Sequence, residues 1–307
     1  MKYTFREATQ DDDEELTRFY NQMQREKTGR SLLLRRSFFD VESLGADSCR
    51  VTALFGEDQK VYGIGSCVVR GNFSQTTQGK IGYLSSLFLD KSVRNKTYFK
   101  EGFQHMKGMV QESHCDFWMT SIMAENDKFE RVLTRPRPGM PQYRKISEYK
   151  TYIFVGDFVC SSNYTFESEK IILSDVLYHK VSIFCGGNLV CVWVILEKEN
   201  FQDQFYCLGR TRLLQKGILR KRIKIMYGAR PEFLTENKEV QAFCLRFIRS
   251  YVLAQGAYVF VVGLPEDDEL ANLFNEKARK VLRSNLYQVH WGDEKPQDIS
   301  DFNVSFL

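Results

Sequence analysis

Residues 81–110, IGYLSSLFLDKSVRNKTYFKEGFQHMKGMV, decide the fold. Tyr83 to Leu89 is an apolar, β-prone run and predicts a strand. Phe99, Phe103, Met106 and Val110 recur at i, i+4, i+7 and i+11, so they share one face of a helix. Between them lies a basic turn, with Lys91, Arg94, Lys96 and Lys100 and no acid from Lys91 until Glu101. The first N–H groups of a helix lack intrahelical partners and carry the positive end of its dipole. Cations beside them strengthen an attraction for phosphate. The stretch therefore reads as an anion site. Without a ligand, the same turn is a solvated basic surface and Phe99 the first core residue of the helix.

Working outward, Tyr3 to Arg6 predicts a short strand, Thr9 an N-cap, and Leu16, Phe19, Tyr20 and Met23 an amphipathic helix. A second helix is expected within Leu32 to Ser43. Strands follow at Arg50–Phe55 and Val61–Val69, around a Gly56-Glu57-Asp58 turn. After the quoted stretch come a buried strand at Asp116–Met123, a short helix around Asn126–Leu133, a proline-rich turn at Pro136–Pro141 and a strand at Tyr149–Phe154. The second half repeats the order. Val181–Phe184 and Leu189–Leu196 flank Gly186-Gly187-Asn188, and Ile223–Tyr227 stands where the Tyr83 strand stood. Val240, Phe243, Cys244, Phe247, Ile248 and Tyr251 mark the matching helix. Ala257–Leu264 with Pro265-Glu266-Asp267-Asp268 parallels Asp116–Met123 with Ala124-Glu125-Asn126-Asp127, and Leu286–Trp291 closes the repeat. The expectation is an α/β (α+β) chain of two tandem domains, 1–157 and 165–307, joined in the polar stretch Gly156 to Ser168.

The bulk numbers permit this. A chain of 307 residues that is 43% hydrophobic can bury two cores. A net charge of +4 is too mild to announce a nucleic-acid binder, and fits an acidic or phosphorylated small molecule as well. A basic run at Arg210, Arg212, Lys216, Arg220, Lys221, Arg222 and Lys224 lacks interleaved aromatics, so it reads as a solvated face and nucleic acid is not expected as a partner. The eight cysteines are scattered without a Cys-x-x-Cys pair, which predicts reduced thiols and a cytoplasmic location. His105, His114, His179 and His290 have no ligand-like spacing, so no metal site is expected. No apolar run is long enough to cross a bilayer, and the N-terminus has no signal core. Walker-type and Gly-x-Ser-x-Gly loops are absent, and Gly63-Ile64-Gly65 reads as glycines where a strand bends.

The element order and several residues resemble the GNAT (GCN5-related) N-acetyltransferase superfamily across nearly all of residues 1–155, with the second half a more divergent copy. YTFREATQDD is similar to the family's first strand and helix. Leu87, Phe88 and Leu89 resemble the strand whose backbone pairs with the pantetheine arm of acetyl-CoA. Arg94 matches the first position of the pyrophosphate turn, which continues through Asn95, Lys96, Thr97, Tyr98 and Phe99. Asn126 matches the asparagine that starts the helix after the fifth strand. Thr97 and Phe99 stand where the family has Gly and Gly/Ala, and Leu133 where many members carry a tyrosine general acid. The second half has Glu236 and Glu239 at its helix start, which repel a pyrophosphate, so the first half is the expected binder.

The resemblance implies an acetyl-CoA-dependent N-acetyltransferase acting on a small-molecule or peptide amine. The alternative is a non-catalytic GNAT-like protein binding a ligand or partner in the same cleft. Direct acyl transfer needs a base for the ammonium proton and an acid for the leaving thiolate, and no nucleophilic residue. Ser85 and Ser86 sit on the strand that approaches the thioester and can carry a water, or are ordinary strand residues. Glu125 and Asp127 are the nearest carboxylates after the fifth strand, or surface groups at a helix start. Tyr143, after the proline turn, borders the thiolate region in this reading. Oligomeric state and acceptor are not legible.

Overall fold

The computed structural model describes residues 2–28, 35, 37–43, 46–71, 80–94, 96–115, 117–155, 164–173, 176–200, 223–228 and 230–292. They form two compact units, the first from 2–146 and 285–292, the second from 147–200, 223–228 and 230–284. The expected basic run from Arg210 to Arg222 and the position Asn95 lie outside the described residues.

The first unit runs β1 (Tyr3–Glu7), α1 (Asp13–Thr28), α2 (Phe38–Glu42), β2 (Ser48–Gly56), β3 (Val61–Gly71), β4 (Lys80–Leu89), α3 (Lys96–Glu112), β5 (Phe117–Met123) and α4 (Asp127–Thr134). A short 3-10 turn leads into α1. There the Asp12 carboxylate accepts from the Thr9 backbone N–H at 2.8 Å and from both terminal nitrogens of Arg6 at 2.7 Å. The sheet order is β1-β2-β3-β4-β5, antiparallel except for the parallel pair β4/β5. Alternation along the strands feeds two cores. On one face Leu16, Phe19, Tyr20 and Met23 of α1 and Phe38 of α2 meet Val51, Ala53, Phe55 and Ile64. On the other, Phe103, Met106 and Met109 of α3 meet Cys67, Val69, Leu84 and Trp118.

The second unit holds β7 (Tyr164–Leu173), β8 (Val176–Cys185), β9 (Asn188–Asn200), β10 (Ile223–Gly228), β11 (Glu232–Phe233), α5 (Lys238–Ala254), β12 (Ala257–Pro265) and α6 (Ala271–Lys277). It also takes parts of β6 (Gln142–Val155) and β13 (Lys280–His290). Its sheet order, β7-β8-β9-β10-β12, repeats β1 to β5, with the same single parallel pair, here β10/β12. Each unit is thus a mixed, largely antiparallel sheet flanked by helices.

The sixth strand of the plan is exchanged. β13 closes the second repeat in chain order, yet its residues 285–290 belong to the first unit, where β13 neighbours β5. β6 closes the first repeat, yet its residues 147–155 belong to the second unit and pair with β12 from Val155–Val259 to Tyr149–Pro265. The division at 1–157 and 165–307 follows the repeat along the chain, whereas the units follow packing.

Two elements differ from expectation. The helix expected within Leu32 to Ser43 is described only as the five residues of α2, opened by Ser37, whose hydroxyl accepts from the Asp40 N–H. β7 begins inside the expected polar join. It is an edge strand whose Thr165 to Lys170 are exposed on both faces, so its sequence carries no alternation to read.

Candidate active site

The quoted stretch builds an irregular strand end. Across β3/β4, Ser66 pairs with Ser85 and Ile64 with Phe88, so Ser86 and Leu87 stand opposite the single residue Gly65. This is a β-bulge. Ser86 adopts φ 52°, in the left-handed region that favours glycine. A Cβ on Gly65 would lie 2.8 Å from Met106 Sδ and 3.1 Å from Leu87 Cδ2, so the missing side chain lets α3 and the bulge close on β3. On the other side, β4 pairs with β5 at Ile81–Phe117, Gly82–Trp118 and Tyr83–Met119 and no further among the described residues. Thr120 Oγ1 then donates to the Leu84 carbonyl at 2.7 Å, a side chain standing where the next ladder bond would be. Past this point the strands part. Buried main-chain donors and acceptors need partners, so the opened edge of β4 suits an extended, amide-bearing ligand.

Ser85 and Ser86 meet a carboxylate that the sequence did not single out. Both hydroxyls donate to Oε1 of Glu42, which is only 5% exposed; the Ser86 bond is 3.1 Å. Its Oε2 takes a 2.7 Å bond from Arg35 Nη1. The Arg35 guanidinium lies over the Tyr20 ring at 3.9 Å, and Asn21 accepts from its backbone N–H and donates to its carbonyl, both at 2.8 Å. Burial opposes the Glu42 charge, but Arg35 and the two serines outweigh it and hold the carboxyl below the usual carboxylate range. Nearby Cys49 is pushed up to about 12, by burial first and by Glu42 second.

At the basic turn, Asp90 accepts from the Ser92 N–H at 2.8 Å, and Arg94 Nε donates to the Leu89 carbonyl at 2.8 Å, tying the turn to the end of β4. Lys91 pairs instead with Glu26 of α1 at 2.9 Å. Lys96 opens α3, with Thr97 exposed. Tyr98 sets its ring edge-on to Tyr3 at 5.5 Å, and Phe99 packs on Phe103 at 5.2 Å, inside the helix's own core face.

Beyond β5, Glu125 is exposed with no hydrogen-bond or ion-pair partner among the described residues, and Asn126 precedes α4, its carbonyl accepting the Phe129 and Glu130 N–H groups. Leu133 is buried. Glu130 accepts from the Tyr287 hydroxyl and from Asn285 Nδ2, both on the part of β13 belonging to this unit. Tyr143 stands edge-on to Tyr287 at 6.2 Å, and its hydroxyl is buried with no partner. Burial alone raises its pKa. Leu87, Phe99, Phe129, Tyr143 and Trp291 pack on one core, and the Trp291 indole N–H is likewise buried and unpaired. The structure thus joins Ser85 and Ser86 through Glu42, and Leu87, Phe99 and Tyr143 through one core; Glu125 joins neither. Glu42, Arg35, Glu130 and Tyr287 were not foreseen. Their only sequence trace was two acids among the apolar residues of FFDVE and a tyrosine in a strand.

A separate open groove of about 660 Å³ lies between β1, β2 and α3. Arg50 bonds Glu7 and Glu112 there, and none of the candidate residues lines it. No cluster of histidine, cysteine and carboxylate side chains suited to a metal occurs among the described residues. No helix among them is long and apolar enough to cross a membrane. The six cysteines among the described residues, Cys49, Cys67, Cys115, Cys185, Cys191 and Cys244, form no disulfide; Cys160 and Cys207 lie outside the described residues.

The second unit closes the corresponding places. β10 pairs with β12 from Lys224–Ala257 to Gly228–Val262, leaving no opened edge on β10 among the described residues. The start of α5 is capped from within, Asn237 Oδ1 accepting from the N–H groups of Glu239 at 2.9 Å and Val240 at 3.3 Å.

No family model and no curated protein sequence matches the chain. Solved structures do resemble it. A tandem GNAT protein from the clavulanic acid biosynthesis pathway has a TM-score of 0.58 at 9% identity, covering 96% of this chain and 100% of that one. A GCN5-related N-acetyltransferase from Sphaerobacter thermophilus gives 0.60 at 9% identity, covering 95% and 98%. The N-myristoyltransferase of Saccharomyces cerevisiae, solved with bound myristoyl-CoA, gives 0.54 at 11% identity, covering 99% and 83%.

Proposed function

We propose that this chain, which carries the tandem GNAT fold, transfers an acetyl group from acetyl-CoA to a small-molecule or peptide amine through its first unit. The observation that carries the reading is the parting of β4 from β5 after Tyr83–Met119, beside the bulge at Ser86 and Leu87. Acetyl-CoA supplies an activated thioester. The β4 edge at Leu87, Phe88 and Leu89, which β5 leaves without a ladder partner, receives its pantetheine arm in this reading. Arg94, Asn95, Lys96, Thr97 and the N–H groups of Tyr98 and Phe99 hold its pyrophosphate, and Asn126 fixes the start of α4 beside the opening.

In the transfer, a carbon–nitrogen bond forms as the carbon–sulfur bond breaks. The ammonium proton leaves through water held by Ser85 or Ser86, or to Glu125. Tyr143, whose buried hydroxyl stays protonated and has no protein partner, donates a hydrogen bond to the leaving thiolate, which takes up the proton that the nitrogen sheds on becoming an amide. The closed strand pair and self-capped helix of the second unit support a single working site. A cytoplasmic location fits the free thiols.

Isothermal titration with acetyl-CoA, CoA and dephospho-CoA, followed by thiol release on a panel of amines, tests the reading. Binding near micromolar and amine-dependent thiol release are expected; no binding at millimolar acetyl-CoA overturns it. One observation favours a second reading, a non-catalytic binder: Phe99 fills the core where the family has a small residue, and Leu133 is buried where it has a tyrosine. Tight CoA binding without thiol release for any amine would select it.

A further inference from the structure

We propose that Glu42 is a positioning residue: its carboxylate, fixed by Arg35, holds Ser86 in its left-handed conformation and so sets the β4 bulge. This deepens the acyltransferase reading and rests on it only for the ligand. Successive side chains of a regular strand point to opposite faces. Ser85 and Ser86 nevertheless both bond the same oxygen of Glu42, which the bulge that begins at Ser86 allows. The cost of a positive φ for a residue with a Cβ must be met by its surroundings. Glu42 is the group that meets it, its Oε1 accepting from the Ser86 hydroxyl.

The carboxylate is itself anchored from three sides. Ser37 caps α2, Asp13 of α1 accepts from the Phe39 N–H at 2.8 Å, and Asn21 brackets the backbone of Arg35, whose guanidinium also lies between Tyr20 and Phe38. The face of β4 opposite α3 is thereby clamped at the residue where its edge opens. A bulge leaves extra backbone groups unpaired. Their placement decides whether an acyl carbonyl, present in acetyl-CoA and absent from CoA, finds a donor.

The test compares two substitutions that delete the same hydroxyl. Ser86→Ala keeps the Cβ that disfavours positive φ, whereas Ser86→Gly removes it. Titration with acetyl-CoA and with CoA should show that Ser86→Ala loses the preference for acetyl-CoA by about tenfold while CoA affinity holds, and that Ser86→Gly keeps the preference. Glu42→Gln should reproduce Ser86→Ala, and Glu42→Gln with Ser86→Gly should restore it. Equal behaviour of Ser86→Ala and Ser86→Gly overturns the proposal. If the wild type binds neither compound, the proposed function falls, and thermal melting of the same variants decides this inference. Ser86→Ala melting below Ser86→Gly then supports it, and the reverse or equal order overturns it.

Discussion

Tyr143 allows chemistry to be separated from stability by deleting one oxygen. Its hydroxyl is buried without a partner, so Tyr143→Phe gives up no hydrogen bond and sheds a desolvated group. The melting temperature should hold or rise, while turnover falls by about 10²- to 10³-fold if the group is the donor that stabilises the leaving thiolate. Unchanged turnover removes Tyr143 from the reaction. Among the described residues Arg94 uses only Nε, on Leu89, which leaves its terminal nitrogens for an anion. Arg94→Ala should weaken CoA by about 1.5–3 kcal/mol, tenfold or more, and flatten the salt dependence of binding; titration showing equal affinities would return the turn to plain surface. Glu42 has a folded pKa below its unfolded value, so its stabilisation is present above the usual carboxylate range and lost as pH falls through the folded value. The gap in urea midpoint between wild type and Glu42→Gln should therefore be largest near neutrality and shrink below about pH 4. A gap independent of pH would show that the charge is not what stabilises. Ser85 and Ser86 could be picked from the sequence because their strand could be. Glu42 could not, since it lies more than forty residues from the serines it bonds, and an acid in a short helix that also carries Asp40 looks solvated.

At the scale of elements, α3 was legible from its periodic apolar face, and β4 and β5 from continuous apolar, β-prone runs. The bulge and the parting of β4 from β5 were not legible, since both are departures from the very pattern that predicts a strand. The helix starts differ in a way that can be measured. Asn237→Ala removes the acceptor for two N–H groups of α5 and should cost about 1 kcal/mol in urea unfolding, with no effect on CoA binding. Any loss of CoA affinity would move the anion site to the second unit. In β4, a Cβ on Gly82 would sit 2.3 Å from the Trp118 ring, which is buried and held across the ladder. Gly82→Ala should destabilise by about 1–3 kcal/mol.

For the whole molecule, the tandem repeat was legible because two copies of one order of elements are hard to produce by chance. The exchange of the sixth strand was not, because Tyr149–Phe154 and Leu286–Trp291 have the same local character and nothing local says which sheet either joins. A fragment of residues 1–157 lacks the part of β13 that belongs to the first unit, so it should aggregate or stay unfolded alone. Co-expression with residues 165–307 should recover soluble protein, and a stable, monomeric 1–157 fragment would contradict the exchange. The same exchange also sets an order of events at the ribosome. β5 ends at Met123, and its neighbour β13 is complete only at His290, so at about 5–20 residues per second the first unit waits roughly 10 to 30 seconds for its last strand. During that interval the nascent chain presents an unfinished sheet, whose unpaired edge is open to wrong partners until β13 emerges.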